Sequence, residues 1–547
     1  MNRFAVELRN ISKSFGKNCA NDGVSITVPQ GTIHGIVGEN GAGKSTIMKV
    51  LFGLYQPDQG EIFVDGEKRQ WHSTKDASAA GIGMVHQHFM LSHRHSTLDN
   101  IILGVEPSNS TTSIRAFQPI DRKHARVELR VIMKMFDLQV DLDAKVATLP
   151  VGVQQRIEIL KVLYRKARVL ILDEPTAVLT PQETTAFLFN LKKLRDEGKT
   201  IIIITHKLKE ILSCADDISV MRAGKLVGCV PAKGLTEEAL ATMMVGRSVR
   251  LRVEPPPNTR TEKSLLAVKD LSWRGPQKSQ KLTKVSFEVH GGEILGVAGV
   301  DGNGQHELLE ALSAPSSHGR LLTGDITVQN MSARRLSNLQ LRQSGVAFIP
   351  PDRLRDGILA EQNAFRNFAL GHHFRKEFAT RGMIRWGGVR RACQRAMTAF
   401  DVRPPNPWTI AGEFSGGNQQ KLIFARELNF APSVIVAANP TRGVDVGSIE
   451  FIHDQILAAR QRGCAVLLVS SELSEVMGLS DRIIVLYRGT VAGHLSRKEF
   501  DQDRIGCLMG RGTDNETSSD TSPKMHAIEN SLATNVPSGP VVDEREK

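Results

Sequence analysis

The chain has 547 residues, of which 41% are hydrophobic and 23% charged, and a formal net charge of +12. That length exceeds a single compact core, and so average a composition excludes both wholesale disorder and a membrane-embedded body. The longest apolar runs, such as Thr200 to Thr205, fall far short of the roughly 20 residues of a membrane helix. The positive charge suits anionic partners without choosing among nucleic acid, acidic lipid and nucleotide phosphate.

From the N-terminus, MNRFAVELRN carries no apolar stretch behind its basic residue, so the cytosol is the expected compartment. The six cysteines are scattered with no C-x-x-C pair, and reduced thiols are expected. Phe15, in SKSFGK, is a candidate for stacking on an adenine ring, with core packing as the alternative. The strand-like TIHGIV then leads into Gly38-Glu39-Asn40-Gly41-Ala42-Gly43-Lys44-Ser45, and Thr46 opens the helix-like TIMKVLFGL. This is G-x-x-x-x-G-K-[ST] between a strand and a helix, the context in which backbone amides and a helix N-terminus cradle phosphate. Lys44 is expected to reach the β- and γ-phosphates and Ser45 to ligate Mg2+.

Gln87, in GIGMVHQHF, is expected to reach the same metal through its side-chain oxygen. The strand-like Arg168 to Leu172 ends in Asp173-Glu174, two carboxylates at the carboxyl edge of a parallel sheet, where ligands bind. Asp173 is the candidate Mg2+ partner and Glu174 the candidate general base for an attacking water. The strand IIIITH delivers His206 to that edge, where an imidazole can hold water and base in line with the γ-phosphate.

The chain also repeats itself. GTIHGIVGENGAGKSTIMKVLFGL from Gly31 is matched by GEILGVAGVDGNGQHELLEALSA from Gly292, Gly38 against Gly299 at an offset of 261. ATLPVGVQQRIEIL is matched by GEFSGGNQQKLIFA at an offset of 265, which sets Asp173 against Ala438, His206 against Ser471 and Thr180 against Asp445. The halves are placed at residues 1–245 and 265–510. The proline-containing stretch 246–264 is read as an extended linker, and the polar stretch 511–547 as a disordered tail.

These motifs, in this order, resemble the nucleotide-binding domains of the ABC ATPase superfamily, over nearly all of residues 5–510. The signature peptide of that family is present in the second half as Phe414-Ser415-Gly416-Gly417-Asn418-Gln419. The resemblance implies an α/β fold of two tandem P-loop NTPase domains. Each would have a mainly parallel core sheet plus antiparallel β and helical subdomains, using ATP and Mg2+. It also implies head-to-tail pairing, in which each ATP lies between one half's phosphate loop and the other half's signature.

Under that pairing the departures sort themselves. The second phosphate loop reads Gly299-Val300-Asp301-Gly302-Asn303-Gly304-Gln305-His306, without the lysine or the hydroxyl, and Ala438-Asn439 and Ser471 replace the acid pair and the histidine. The first signature, Leu149-Pro150-Val151-Gly152-Val153-Gln154, lacks the serine hydroxyl and one glycine. The sound phosphate loop meets the sound signature, so one competent site and one non-hydrolytic site are expected.

Among tandem ABC ATPases, the short linker and the single ruined site favour an importer motor over the alternative, a soluble ATPase acting on ribosomes or nucleic acid. LDEPTAVLTPQE and NPTRGVDVGSIE resemble the simple-sugar and nucleoside uptake group, and the degenerate second half resembles its nucleoside branch. The resemblance implies transmembrane permease subunits as partners, an extracytoplasmic solute-binding protein acting indirectly, no nucleic acid, and a peripheral position on the cytoplasmic face of the inner membrane. Docking is expected through the Gln87 region and its counterpart near Asp352.

Overall fold

Continuous runs of β-branched residues build both cores. The strands Ile33–Gly38, Val169–Asp173 and Thr200–Ile204 are buried at every position, as strands covered on both faces must be. The computed structural model describes residues 4–16, 18–86, 89–108, 120–136, 138–176, 179, 181–249, 256, 259–274, 280–300 and 302–512.

In the first half, six strands lie in the order Lys225–Pro231, Asp217–Arg222, Ile33–Gly38, Thr200–Ile204, Val169–Asp173, Ile82–Val85, parallel except for the first. An antiparallel sheet, Asn18–Pro29, Phe4–Phe15, Gln59–Val64 and Glu67–Arg69, packs beside it. A helical subdomain includes Thr97–Ile102, Arg122–Phe136 and Val151–Tyr164. The helix Arg122–Phe136 buries Ala125, Leu129, Met133 and Phe136, the one-face spacing of an amphipathic helix.

The second half repeats this plan. Its six-stranded sheet runs Val346–Ile349, Val434–Ala438, Ala465–Val469, Ile294–Ala298, Arg482–Tyr487, Thr490–Ser496, with the last strand antiparallel. Five of the six strand pairs superpose in sequence at the offsets of 261 and 265 read from the repeat, and the edge strands Ile82–Val85 and Val346–Ile349 at 264, so the chemistry-bearing loops lie at equivalent sheet edges.

The first half's last helix, Glu237–Val245, and the second half's first strand, Ser264–Arg274, bracket the segment read as a linker. Both ends of that segment are held. Val249 is buried among the first half's core residues, and the Thr261 N–H donates to the Gly291 carbonyl at 2.8 Å.

The same segment changes the environment of a duplicated ion pair. In the first half Arg195 meets Asp216 at 3.1 Å with both side chains partly in solvent, 27% and 37% exposed. In the second half the register partners Arg460 and Asp481 form a two-pronged pair at 2.9 and 2.7 Å, only 1% and 7% exposed, and Arg460 Nη1 also donates to the Pro256 carbonyl. An exposed pair contributes little, whereas removing one member of a buried pair strands a charge. Arg460→Ala is therefore expected to lower unfolding stability by about 3–5 kcal/mol and Arg195→Ala by about 0–1 kcal/mol. Parallel denaturant titrations of the two variants measure the difference.

Candidate nucleotide site

The first phosphate loop turns on Gly41 and Gly43, whose φ values of 84° and 91° are left-handed backbone that a side chain would strain. Asn21, fully buried, donates its Nδ2 to the Gly43 carbonyl at 3.1 Å and so ties the loop to the antiparallel sheet. Lys44 is buried at the start of the helix Lys44–Leu51, its Nζ donating to the Gly38 and Glu39 carbonyls at 2.8 and 2.9 Å. Burial lowers its pKa, while the charges of Glu174 and Asp173 act the other way.

Next to Lys44, the Ser45 hydroxyl donates to Asp173 Oδ1 at 3.1 Å. Burial raises the Asp173 carboxyl above its usual range, and the bond from Ser45 opposes the rise. A hydroxyl and a carboxylate beside a phosphate cradle are hard oxygen donors, two protein ligands of the kind Mg2+ takes with phosphate and water. The residues present fit that ion.

Glu174 follows with φ 47°, an uncommon conformation for a residue with a long side chain. Its N–H donates to the Ile204 carbonyl at 2.9 Å, and its Oε1 lies 3.0 Å from His206 Nδ1. Burial alone would raise the carboxyl. The bond to His206 and the charges of Lys44 and Lys207 outweigh it, and Glu174 is held below the ordinary carboxylate range. An ionised carboxylate fixed by an imidazole at the edge of a phosphate cradle can take a proton from water.

The second half keeps this backbone and changes its chemistry. Asn439 has φ 43° and donates its N–H to the Val469 carbonyl at 2.7 Å, as Glu174 does to Ile204. In place of the carboxylate–imidazole contact, Asn439 Oδ1 accepts the Ser471 N–H at 2.8 Å. In the phosphate loop, Gln305 lies against Gly299 with its Oε1 buried and, among the described residues, without a partner, and His306 is largely exposed. Asn303 is bonded to the Met509 carbonyl and the Arg488 N–H. Asp301 lies outside the described residues.

The two signatures differ in the same manner. Pro150 and Ser415 have nearly identical backbones, φ −56° and ψ 153° against φ −60° and ψ 157°. Ser415 Oγ accepts the Asn418 N–H and Nδ2 at the head of the helix Gly416–Leu428, whereas Pro150 provides no side-chain cap for the helix Val151–Tyr164. A Cβ on Gly416 would lie 2.6 Å from Arg353 Nη2 and one on Gly417 2.5 Å from Asp445 Oδ2, so a side chain at either position displaces a neighbouring one. Gln419 is buried, donating Nε2 to the Ala411 carbonyl.

The first phosphate loop touches the second half. Asn40 Nδ2 lies 3.4 Å from the Gly443 carbonyl, and the Glu39 carboxylate lies against Gly447 near the start of the helix Val446–Gln461. Burial and then Asp445 raise the Glu39 carboxyl. Val446 packs among first-half core residues, and Arg247 pairs with Glu450 at 2.6 Å. Glu39, Asn40, Lys44 and Asp445 therefore share one interface.

Other expected residues fare variously. Phe15 is 45% exposed with its ring edge-on to Tyr55 at 5.2 Å, so core packing does not describe it. Gln87 and Thr180 lie outside the described residues. Gly38 ends the strand Ile33–Gly38, Ala42 lies in the loop and Thr46 in the first turn of the helix Lys44–Leu51. Asn21 and the cross-interface role of Glu39 carried no sequence signal, because each acts through a partner remote in the chain.

The sequence matches the ABC transporter family over residues 21–177 and 282–442. A guanosine import ATP-binding protein of Bacillus subtilis is 42% identical, covering 94% of this chain and 98% of its own length. A nucleoside import ATP-binding protein of Lactococcus lactis is 40% identical over 94% of this chain and all of its own. A glucose import ATP-binding protein of Haloferax volcanii is 40% identical over 93% and 96%. With a phosphate loop, an acid pair and a histidine in contact and a signature peptide in the partner half, the chain belongs to the ABC transporter family, as an ATPase with two cassettes in one polypeptide.

Proposed function

We propose that this chain is the motor subunit of an importer for nucleosides or simple sugars, with one hydrolytic ATP site shared between the halves and one site that does not hydrolyse. The observation that carries the asymmetry is the exchange of Glu174–His206 for Asn439–Ser471 on an unchanged backbone. The relatives named for guanosine, nucleoside and glucose import support the solute classes, and their similar identities leave both classes in the proposal.

At the working site, the amides of Gly38 to Ser45 and the Lys44 ammonium hold the phosphates of ATP, and Phe15 stacks on the adenine. Ser45 and Asp173 would hold Mg2+, with Gln87 as the further ligand that the family resemblance implies. When bound, that ion offsets phosphate charge. Glu174 accepts a proton from the attacking water while His206 fixes the carboxylate's orientation. Ser415, Gly416, Gly417 and Asn418 close on the γ-phosphate from the second half, with Gln419 bracing the signature helix. ATP binding thus draws the halves together, and hydrolysis lets them part.

The partners are membrane-embedded permease subunits, with a solute-binding protein on the far side. The subunit itself sits peripherally at the cytoplasmic face of the inner membrane. Among the described residues, no helix is long and apolar enough to cross a membrane.

In the complex reconstituted with its permease, Glu174→Gln should lower solute-stimulated ATPase by about 10²–10⁴, with Asn439→Ala keeping most of it. Ser415→Arg should abolish uptake of labelled guanosine or glucose, and Pro150→Arg should spare it. Equal loss from the two signature variants would sink the asymmetric reading.

Stability gives a separate check. A carboxyl raised by folding binds more protons in the native than in the unfolded state between its two pKa values, so stability falls as pH rises through that window. At neutral pH the ionised Asp173 is therefore a cost to the nucleotide-free fold. Asp173→Asn is expected to raise Tm by about 1–3 °C without ATP and Mg2+, to abolish hydrolysis, and to lose the further Tm gain that ATP with Mg2+ gives the wild type.

A further inference from the structure

The five-residue turn Arg353–Gly357 follows the second half's edge strand, Val346–Ile349, where the register sets it against the stretch containing Gln87. Asp352 fixes its start by accepting the Leu354 and Arg355 N–H groups at 3.0 and 3.1 Å. Its far end is fastened to the signature helix, with Gly357 buried under Ile423 and its carbonyl accepting from Arg426 Nη1 at 2.8 Å. Two apolar side chains on this stretch, Leu354 and Leu359, stand 56% and 50% exposed.

Arg353 points the other way, towards the interface. Its Nε donates to Gln419 Oε1 in the signature helix at 3.2 Å, and its Nη1 donates to the Arg442 carbonyl at 2.8 Å. The guanidinium lies so close to the backbone of Gly416 that a Cβ there would meet Nη2 at 2.6 Å. Arg442 precedes Gly443, whose carbonyl faces Asn40 of the first phosphate loop. One planar group thus spans the exposed turn, the head of the signature helix and the loop that touches the opposite phosphate cradle. Among the described residues it forms no ion pair, so its charge is spent on these neutral acceptors.

We propose that Arg353 is a positioning residue. It makes the turn, the signature peptide and the 441–445 loop move as one piece, so that force on Leu354 and Leu359 from the permease sets both phosphate-facing elements of the second half together. A lysine could reach one of these acceptors but lacks the flat fork that holds both. The inference rests on the composite-site reading above.

Because Arg353 belongs to the half that does not cradle the nucleotide, its loss should act on turnover and not on ATP capture. In the complex reconstituted with its permease, Arg353→Gln and Arg353→Ala are expected to lower solute-stimulated kcat about tenfold or more. Affinity for a fluorescent ATP analogue should stay within about twofold and Tm within about 3 °C of wild type. Arg353→Lys should recover part of the turnover and keeps the test open if the alanine variant does not fold. Unchanged kcat in the glutamine variant, or a fall in kcat matched by a fall in nucleotide affinity, would overturn the proposal. If Ser415→Arg abolishes activity while Arg353→Gln does not, this inference alone fails; if Ser415→Arg is tolerated, the composite-site reading fails first.

Discussion

Glutamate does not favour a left-handed backbone, yet Glu174 holds φ 47° at the end of a fully buried strand. Such a conformation persists only where its surroundings over-determine it. Here the N–H is bonded to the neighbouring strand at Ile204, and the preceding Asp173 is buried against Ser45. The bend turns the Glu174 carboxylate out of the sheet to meet His206. The site's geometry therefore depends on a local strain that the parallel sheet sustains.

The second half exhibits the same bend without its chemical use. Asparagine is among the residues that tolerate left-handed backbone best. Asn439 occupies the bend, and its side chain accepts the N–H of Ser471 just past the end of the neighbouring strand. An acid–imidazole contact has become a side chain–backbone bond at the same place. The copy thus lacks the acid and the imidazole and keeps the backbone that carried them, and with it the fold.

That fold also supplies the surface that meets the first phosphate loop. Glu39 and Asn40 reach across to the backbone of Gly447 and Gly443, which places the head of the second half's helix Val446–Gln461 against the first loop. Whatever the second half does with its own phosphate loop, it must keep this surface, its signature and the bonds that brace them. The contrast between Arg195–Asp216 and Arg460–Asp481 makes a related point: identical pairs in identical register differ in burial, and the buried pair also reaches Pro256 of the intervening segment.

Sequence alone determined the repeat, the strand–loop–helix order and the identity of the phosphate loop, acid pair, histidine and signature, because each is a short pattern whose physics is local. Glycine spacing, apolar runs and a lysine at a helix start can be read without knowing what lies opposite. The exposure of Phe15, the pinning of Gly43 by Asn21, the approach of Glu39 to Gly447 and the three-way reach of Arg353 could not be read in this way. Each is a contact between residues distant in the chain, set by how two sheets, two halves and one intervening segment pack. Pattern named the groups that do chemistry; packing decided which of them meet.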